Sequence, residues 1–339
     1  MEALPSITCE DHAFTVVFHP EEQILACSFV TGHIKFYAFD MDAKTVELVE
    51  ERYRPHKKSC RLLAFEKAGS WIASAGSDGR LVVSNMDPKS IWSSEMIESG
   101  ISALAVSTET SGLVASGDND GVVRLYDIRD KARRTPAIEF SEQMDYISSL
   151  SFLDNDQTIL STSGDRTLAS LDLRKNKKCL GAMSDEQEDE ILSCAIVLDG
   201  KKVLTGDSAG IIGVWKNGFW GDIKDRIVDL KGISSIDCMR KISEDRVLVG
   251  GSDGIIRELS LYPNNNFSSI IGYHDNNAQI ESLAIDLDLK LVASVAHDSI
   301  VRFWGIPEKE AKVNVKKKVK LPPVKTAKAA EKQSFFMDL

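Results

Sequence analysis

Cysteine is scarce in this chain, and no two cysteines stand close together. Six are spread over 339 residues without the short spacings that zinc sites and redox motifs use: Cys9, Cys27, Cys60, Cys179, Cys194 and Cys238. The pattern predicts no metal site and no disulfide framework, but buried reduced thiols of an intracellular protein. The sequence also lacks a basic and apolar leader and any apolar run long enough to span a bilayer, which predicts neither secretion nor membrane insertion.

Enzyme motifs are missing as well. No glycine-rich loop of the phosphate-binding kind occurs. The histidines are scattered through the sequence rather than clustered: His12, His19, His33, His56, His274 and His297. We therefore predict a protein that is not an enzyme and that uses no cofactor, no metal and no small-molecule substrate.

The formal net charge of −10 hides an asymmetry along the chain. Residues 308–339 contain nine lysines and four acidic residues, whereas residues 1–307 contain 32 basic and 47 acidic residues. An acidic body repels phosphate, so direct contact with nucleic acid is expected only from a local patch or from the basic segment.

A short sequence motif recurs seven times along the chain. An acidic or small residue is followed by a turn residue, usually glycine, and then by an apolar β-rich run, at Thr31-Gly32, Asp78-Gly79, Asp120-Gly121, Asp165-Arg166, Ala209-Gly210, Asp253-Gly254 and Asp298-Ser299. The second residues of successive pairs are 42 to 47 residues apart. This is the period of a four-stranded propeller blade.

Each pair stands where a tight hairpin would join the two inner strands of a blade. An alternating apolar strand precedes each turn by about twenty residues, for example at 101–106, 147–152, 191–197, 233–238 and 280–285. Glycine is missing at Arg166 and Ser299, which predicts a different hairpin type there. We predict an all-β, seven-bladed propeller over residues 1–307, closed by packing of the first strands against the seventh blade, and a disordered tail over residues 308–339.

The seventh repeat is the most complete of the seven. His274, Ser294, Asp298 and Trp304 match the structural hydrogen-bond tetrad of the WD-repeat family, which this chain resembles from its first repeat to its last. The resemblance implies that these four groups satisfy one another inside a blade and that they do not form a catalytic triad. Other tryptophans, such as Trp71 and Trp92, are interpreted as packing residues.

Six short segments outside the generic repeat indicate a narrower family. They are residues 143–147, 184–190, 215–219, 225–226, 235–239 and 263–264. In these segments the chain resembles the WD repeat-containing protein 55 family, which includes a fungal ribosome-biogenesis counterpart. The resemblance implies a nuclear and nucleolar scaffold, partly cytoplasmic, that binds pre-ribosomal assembly factors and assists rRNA processing and assembly of the large ribosomal subunit.

Two successive blades end in the sequence Asp-x-Arg, at Asp127 to Arg129 and at Asp172 to Arg174. Both resemble the box by which WD-repeat substrate receptors of E3 ubiquitin ligases dock on the cullin-four adaptor. The resemblance implies that the aspartates hold the strand ends and that the arginines present their guanidinium groups. In the alternative interpretation, the aspartates cap the strands and the arginines are merely solvated. The scaffold and receptor functions do not exclude each other.

The basic segment has two further features. A lysine cluster has the form of a short nuclear-import signal: Lys316, Lys317, Lys318 and Lys320. The last residues look like a docking peptide with aromatic and aliphatic anchors: Phe335, Phe336 and Leu339. The lysines would also attract RNA phosphates. The alternative is a tail that only solubilises the protein.

Overall fold

The computed structural model describes residues 3–306, except residues 88, 111, 154, 176–179, 229–232, 263, 264, 287 and 289 and the side chains of residues 50–52. These residues form β-strands and two 3-10 turns, at Leu173–Lys175 and Asp275–Asn277. In this part of the chain no helix is long and apolar enough to cross a membrane. The predicted all-β class is confirmed.

Seven four-stranded antiparallel sheets form the blades of a propeller, as predicted. Blade 1 contains β2 (Ala13–Phe18), β3 (Ile24–Phe29), β4 (Ile34–Asp40) and β5 (Thr45–Tyr53). Blade 2 contains β6 (Cys60–Phe65), β7 (Trp71–Gly76), β8 (Leu81–Asn85) and β9 (Ser90–Ser93). Blade 3 contains β10 (Ile101–Val106), β11 (Leu113–Asp118), β12 (Val123–Asp127) and β13 (Ile138–Phe140). Blade 4 contains β14 (Ile147–Leu153), β15 (Thr158–Ser163), β16 (Leu168–Asp172) and β17 (Leu180–Met183).

The remaining three blades follow the same order. Blade 5 contains β18 (Ile191–Val197), β19 (Lys202–Asp207), β20 (Ile211–Lys216) and β21 (Asp225–Val228). Blade 6 contains β22 (Ile236–Ser243), β23 (Arg246–Gly251), β24 (Ile255–Ser260) and β25 (Asn266–Tyr273). Blade 7 contains β26 (Ile280–Ile285), β27 (Leu291–Ala296), β28 (Ile300–Gly305) and the N-terminal strand β1 (Ile7–Thr8).

The N-terminal strand closes the ring. Strand β1 pairs antiparallel with β28, with Ile7 opposite Val301 and Thr8 opposite Ile300. The first strands of successive blades lie side by side, and β2 packs against β26 to complete the circle. Closure protects strand edges that an open sheet would expose. The predicted packing of the first strands against the seventh blade is confirmed.

The seven turns between the second and third strands share one conformation. The second residue of the pair has positive φ in every blade, both where it is glycine, as at Gly79 (φ 69°), and at Arg166 (φ 71°) and Ser299 (φ 58°). The backbone N–H of each of these three residues donates to the carbonyl three residues earlier, at 3.1 to 3.2 Å. The expected different hairpin at Arg166 and Ser299 is therefore wrong. Each blade needs the same chain reversal, and the flanking ladder holds a non-glycine residue in the left-handed region.

The hydrophobic core is divided into clusters that join neighbouring blades. Val16 and Leu25 of blade 1, for example, pack with Val295 and Phe303 of blade 7. Because each first strand contacts the next blade in this way, burial of apolar surface holds the ring together.

Two tryptophans outside the tetrad are buried, as interpreted. Trp71 is 7% exposed and Trp92 is 3% exposed. The Nε1 of Trp92 donates to the carbonyl of Arg133 at 3.0 Å, which satisfies its polar group inside the core.

The first strand of blade 6 begins later than predicted. The expected strand over 233–238 runs from Ile236 to Ser243 instead. Ile233 is buried in the same cluster as Ile236 but lies before the strand. Its apolar character therefore comes from packing of the connecting segment and not from strand alternation.

The chain divides into two units, residues 1–306 and residues 307–339. The predicted tail lies outside the described residues, so its disorder, its lysine cluster and its terminal phenylalanines stay predictions. The five described cysteines are unpaired thiols, and four of them are buried. Burial raises the pKa of the Cys194 thiol to about 12, which makes this thiol unreactive. Cys179 lies outside the described residues.

Candidate interaction sites

The four predicted tetrad residues meet inside blade 7. The Nδ1 of His274 lies 2.8 Å from an Oδ2 of Asp298, and its Nε2 lies 2.7 Å from the Oγ of Ser294. The Nε1 of Trp304 donates to the same Oγ at 2.8 Å. These hydrogen bonds connect four parts of blade 7. They are the segment before β26, strand β27, strand β28 and the turn between these two strands.

The tetrad cannot act as a nucleophilic triad. Ser294 is fully buried, and its Oγ accepts from Trp304 while facing His274. Burial lowers the pKa of His274, although the Asp298 carboxylate opposes that shift. The neutral imidazole then donates from Nδ1 to Asp298 and accepts at Nε2 from Ser294. The four side chains satisfy one another's polar groups, which makes the tetrad a stabilising network.

Blade 2 contains a second set of this kind, which the sequence reasoning missed. His56 lies 2.9 Å from both Asp78 Oδ1 and Ser74 Oγ, through Nδ1 and Nε2 respectively. Burial opposes ionisation of Asp78, but hydrogen bonds from His56 and from backbone N–H groups lower its pKa. The tryptophan position holds the buried Ser84, which hydrogen-bonds to the hydroxyl of Tyr53 in the neighbouring blade.

Blades 4 and 5 keep only parts of the arrangement. In blade 4, Gln143 takes the place of histidine, and Ser161 donates to its Oε1 at 2.5 Å. In blade 5, Trp215 Nε1 donates to Thr205 Oγ1 at 2.9 Å. Equivalent positions in blades 4, 5 and 7 therefore form equivalent hydrogen bonds with different residue types. For this reason, a search for the consensus residues in the sequence recognises only one complete set.

The two Asp-x-Arg boxes have matching geometry at the ends of β12 and β16. In blade 3, Arg129 donates from Nε and Nη2 to the carboxylate of Asp127 at 2.8 and 2.6 Å. In blade 4, Arg174 donates to Asp172 at 2.8 Å from both nitrogens. The backbone N–H of each arginine also donates to its aspartate, at 3.1 Å.

Each aspartate of the boxes is held ionised by its arginine. The hydrogen bond from Arg174 lowers the pKa of Asp172 to about 2, and that from Arg129 lowers the pKa of Asp127. The arginine side chains are 59% and 66% exposed. Two oriented guanidinium groups therefore stand at equivalent positions on adjacent blades, accessible to a partner.

Seven β-bulges occupy equivalent positions, one near the start of the first strand of each blade. In the first strand of every blade the register with the second strand shifts at the second residue, namely Phe14, Arg61, Ser102, Ser148, Leu192, Asp237 and Glu281. Bulges re-aim the side chain that they carry. We call these seven residues the mouth ring. The sequence signal for them is the residue after the first apolar residue of each blade's first strand, and it was missed in blade 6 because the predicted strand began at Ile233 instead of Ile236.

Five residues of the mouth ring line a cavity of about 530 Å³: Arg61, Ser102, Ser148, Leu192 and Asp237. The charged side chains of this lining are Arg61, Asp145 and Asp237. Burial raises the pKa of Asp237, and the nearby Glu281 carboxylate adds to that shift. Serines of the ring also connect blades, because Ser102 Oγ donates to the carbonyl of Ile147 at 2.7 Å.

The WDR55 family model matches residues 4–308. The chain belongs to the WDR55 family. WD repeat-containing protein 55 of Arabidopsis thaliana is 34% identical over 299 residues, covering 88% of this chain and 81% of the relative. WD repeat-containing protein JIP5 of Cryptococcus neoformans is 32% identical over 306 residues, covering 87% and 79%. The family resemblance drawn from short sequence segments is confirmed.

The chain is also similar to a relative from Dictyostelium discoideum. Its WD repeat-containing protein 55 homolog is 30% identical over 295 residues, covering 86% of this chain and 68% of the relative. The family model covers residues 4–308, which include the whole propeller, so the similarity to the WDR55 family concerns the blades and their loops. Propellers of this kind serve as platforms for protein interaction.

Proposed function

We propose that this protein is a non-catalytic scaffold that binds pre-ribosomal assembly factors in the nucleolus during rRNA processing and large-subunit assembly. The observation that carries the proposal is the WDR55 family match over the entire propeller. The geometry supports a scaffold because the histidine, serine and aspartate of the tetrad are consumed in a buried network. Loops at the blade ends are left to make contacts.

The charge of the propeller indicates the chemistry of its partners. Residues 1–307 carry 15 more acidic than basic residues. Such a surface attracts basic proteins and repels RNA phosphate. We therefore propose basic assembly proteins as the direct partners of the propeller, and we assign any contact with RNA to the lysines of residues 308–339.

Purification of the tagged full chain from eukaryotic cells tests the proposed scaffold. We expect large-subunit precursors to co-purify and the chain to sediment with them. Proteins bound to the propeller should survive ribonuclease treatment, because their contacts do not pass through RNA. A purification that yields no pre-ribosomal protein or RNA would overturn the proposal. Fluorescent fusion of the full chain tests the nucleolar location and the smaller cytoplasmic fraction.

A second candidate function is that of a substrate receptor on the cullin-four adaptor. The observation that favours it is the matching, exposed Asp-Arg geometry on adjacent blades. Bidentate pairing fixes each guanidinium in one orientation, which reduces the entropy lost when a partner binds it. Binding of the purified chain to the purified adaptor tests this function directly. Absence of binding at micromolar concentrations would remove it.

A further inference from the structure

The seam between blade 7 and blade 1 brings two histidines and a glutamate together. His12 lies just before β2, Glu281 is the second residue of β26, and His297 begins the turn between β27 and β28. One ligand atom of each lies within 4.8 Å of the others. The expectation that no histidines cluster is wrong for this pair, because ring closure joins segments from opposite ends of the sequence.

Both imidazoles face the same carboxylate oxygen. His297 Nε2 forms a close contact with Glu281 Oε1, and His12 Nε2 lies 3.9 Å from that oxygen. The two rings stand edge to face, with centroids 5.2 Å apart. Phe14 packs against His12 with its centroid at 4.8 Å and limits the directions in which that ring can turn. The donors therefore point toward one shared volume.

We propose that His12, Glu281 and His297 bind a divalent transition-metal ion of the zinc class and that this ion fastens the first blade to the seventh. Two imidazole nitrogens and one carboxylate oxygen are ligands that zinc accepts, with open coordination completed by water. Glu281 occupies the β-bulge of β26, a feature that changes the direction of the side chain it carries, and its Oε1 faces both histidines.

The spacing of the donors can contract to that of a bound ion. Zinc bonds of roughly 2.0 to 2.2 Å place tetrahedral ligand atoms about 3.3 to 3.6 Å apart. The present spread of 4.8 Å requires a small rotation, for which the half-exposed His297 side chain has room. His12 and Glu281 are 27% and 28% exposed, so an ion has access to the site from solvent.

Local charge also favours a cation at this seam. Asp237, on the adjacent blade 6, interacts electrostatically with both Glu281 and His297, so two carboxylates act at the same place. A bound divalent ion would offset their repulsion. It would also connect β26 and the turn of blade 7 to the start of β2, and thereby supplement the short pairing of β1 with β28.

Titration of zinc chloride into the metal-free full chain tests the proposal by calorimetry. We expect one zinc ion per chain, a rise in melting temperature, and weak or no binding of calcium and magnesium, which prefer oxygen ligands. Replacement of zinc by cobalt should give the visible absorption bands of a four- or five-coordinate ion. Absence of stoichiometric zinc binding would overturn the proposal.

Substitutions at the proposed ligands, compared with a control substitution at another histidine, test which side chains bind zinc. His297→Asn combined with Glu281→Gln should weaken zinc binding by at least about tenfold, because each removes one donor. His33→Asn is the control, since His33 is another partly exposed histidine and its Nδ1 faces Thr31 instead of a metal donor. Unchanged zinc affinity in the folded double variant would overturn the assignment.

A measurement on the wild-type chain covers the case in which a variant misfolds. Diethyl pyrocarbonate modifies accessible imidazoles, and mass spectrometry locates the modified residues. Zinc should protect His12 and His297 and leave the modification of His33 unchanged. Equal protection of all three, or protection of none, would contradict a site at the seam.

Discussion

The indole Nε1 of Trp304 donates a 2.8 Å hydrogen bond to the Oγ of Ser294, and that hydroxyl in turn faces the imidazole of His274. Asp298 ends the line by accepting from His274. Replacing Asp298 with Ala should lower the free energy of unfolding by about 1 to 3 kcal/mol, because it leaves a buried imidazole N–H without an acceptor. Chemical denaturation monitored by circular dichroism gives this value.

The exposed Asp42 provides the matched control for that substitution. Asp42→Ala should change stability by less than about 0.5 kcal/mol, as is usual for surface positions. Asp78→Ala should resemble Asp298→Ala, because His56 depends on Asp78 in the same way. If Asp298→Ala and Asp42→Ala unfold at the same denaturant concentration, the stabilising function of the tetrad is wrong.

Stability should fall on acidification through the protonation of His274. Burial lowers the pKa of His274 in the folded state below its usual value of 6.5. The unfolded chain therefore binds more protons as the pH drops below that value, so the folded state loses stability between the unfolded and the folded pKa. His274→Gln should flatten the stability profile below about pH 6.5, where the unfolded imidazole takes up its proton and the folded one does not. An equally steep profile in the variant would contradict the assignment to His274.

The strained turn of blade 7 can be relieved with glycine. Ser299 has φ 58°, a region in which glycine is not penalised. Ser299→Gly should raise the free energy of unfolding by about 0.5 to 1 kcal/mol, since relief of left-handed strain exceeds the entropy cost of glycine. Gly79→Ala should do the reverse, because an added Cβ would collide with the carbonyl of Ile97. A neutral effect at both turns would show that they carry no strain.

We expect the arginines of the two Asp-x-Arg boxes to contribute to binding of the adaptor and not to the stability of the fold. Arg129→Ala combined with Arg174→Ala should abolish binding of the cullin-four adaptor and leave the circular dichroism spectrum unchanged, because both side chains are exposed. Lys131→Ala with Lys175→Ala removes the same charge from neighbouring exposed positions and is the control. Retention of the adaptor by the arginine variant would exclude the boxes as the docking site.

Deleting residues 308–339 should leave the propeller folded but reduce nuclear entry and association with pre-ribosomal particles. Two sets of substitutions separate these losses: the four lysines Lys316, Lys317, Lys318 and Lys320 to Ala for import, and Phe335→Ala with Phe336→Ala for docking. Lysine contacts with phosphate should weaken steeply with salt, whereas an aromatic anchor should not. If the truncated chain still enters the nucleolus and sediments with large-subunit precursors, the tail only solubilises the protein.

Much of the fold could be predicted because its information is local and periodic. A repeat of 42 to 47 residues with turn residues at fixed positions fixes the number of blades. The tetrad of blade 7 was also predictable, since His274, Ser294, Asp298 and Trp304 follow the family pattern. The set around His56 repeats the four-residue spacing from serine to aspartate at Ser74 and Asp78, so the sequence held a signal for it.

Other features depend on the tertiary structure. Sequence predicted a different turn at Arg166 and Ser299, since intrinsic preference disfavours positive φ there, but the paired strands on both sides impose it. The contact between His12, Glu281 and His297 had no signal in local spacing. It exists because the circular arrangement of blades places the first inner strand beside the last, and no local sequence pattern encodes which distant side chains that closure brings together.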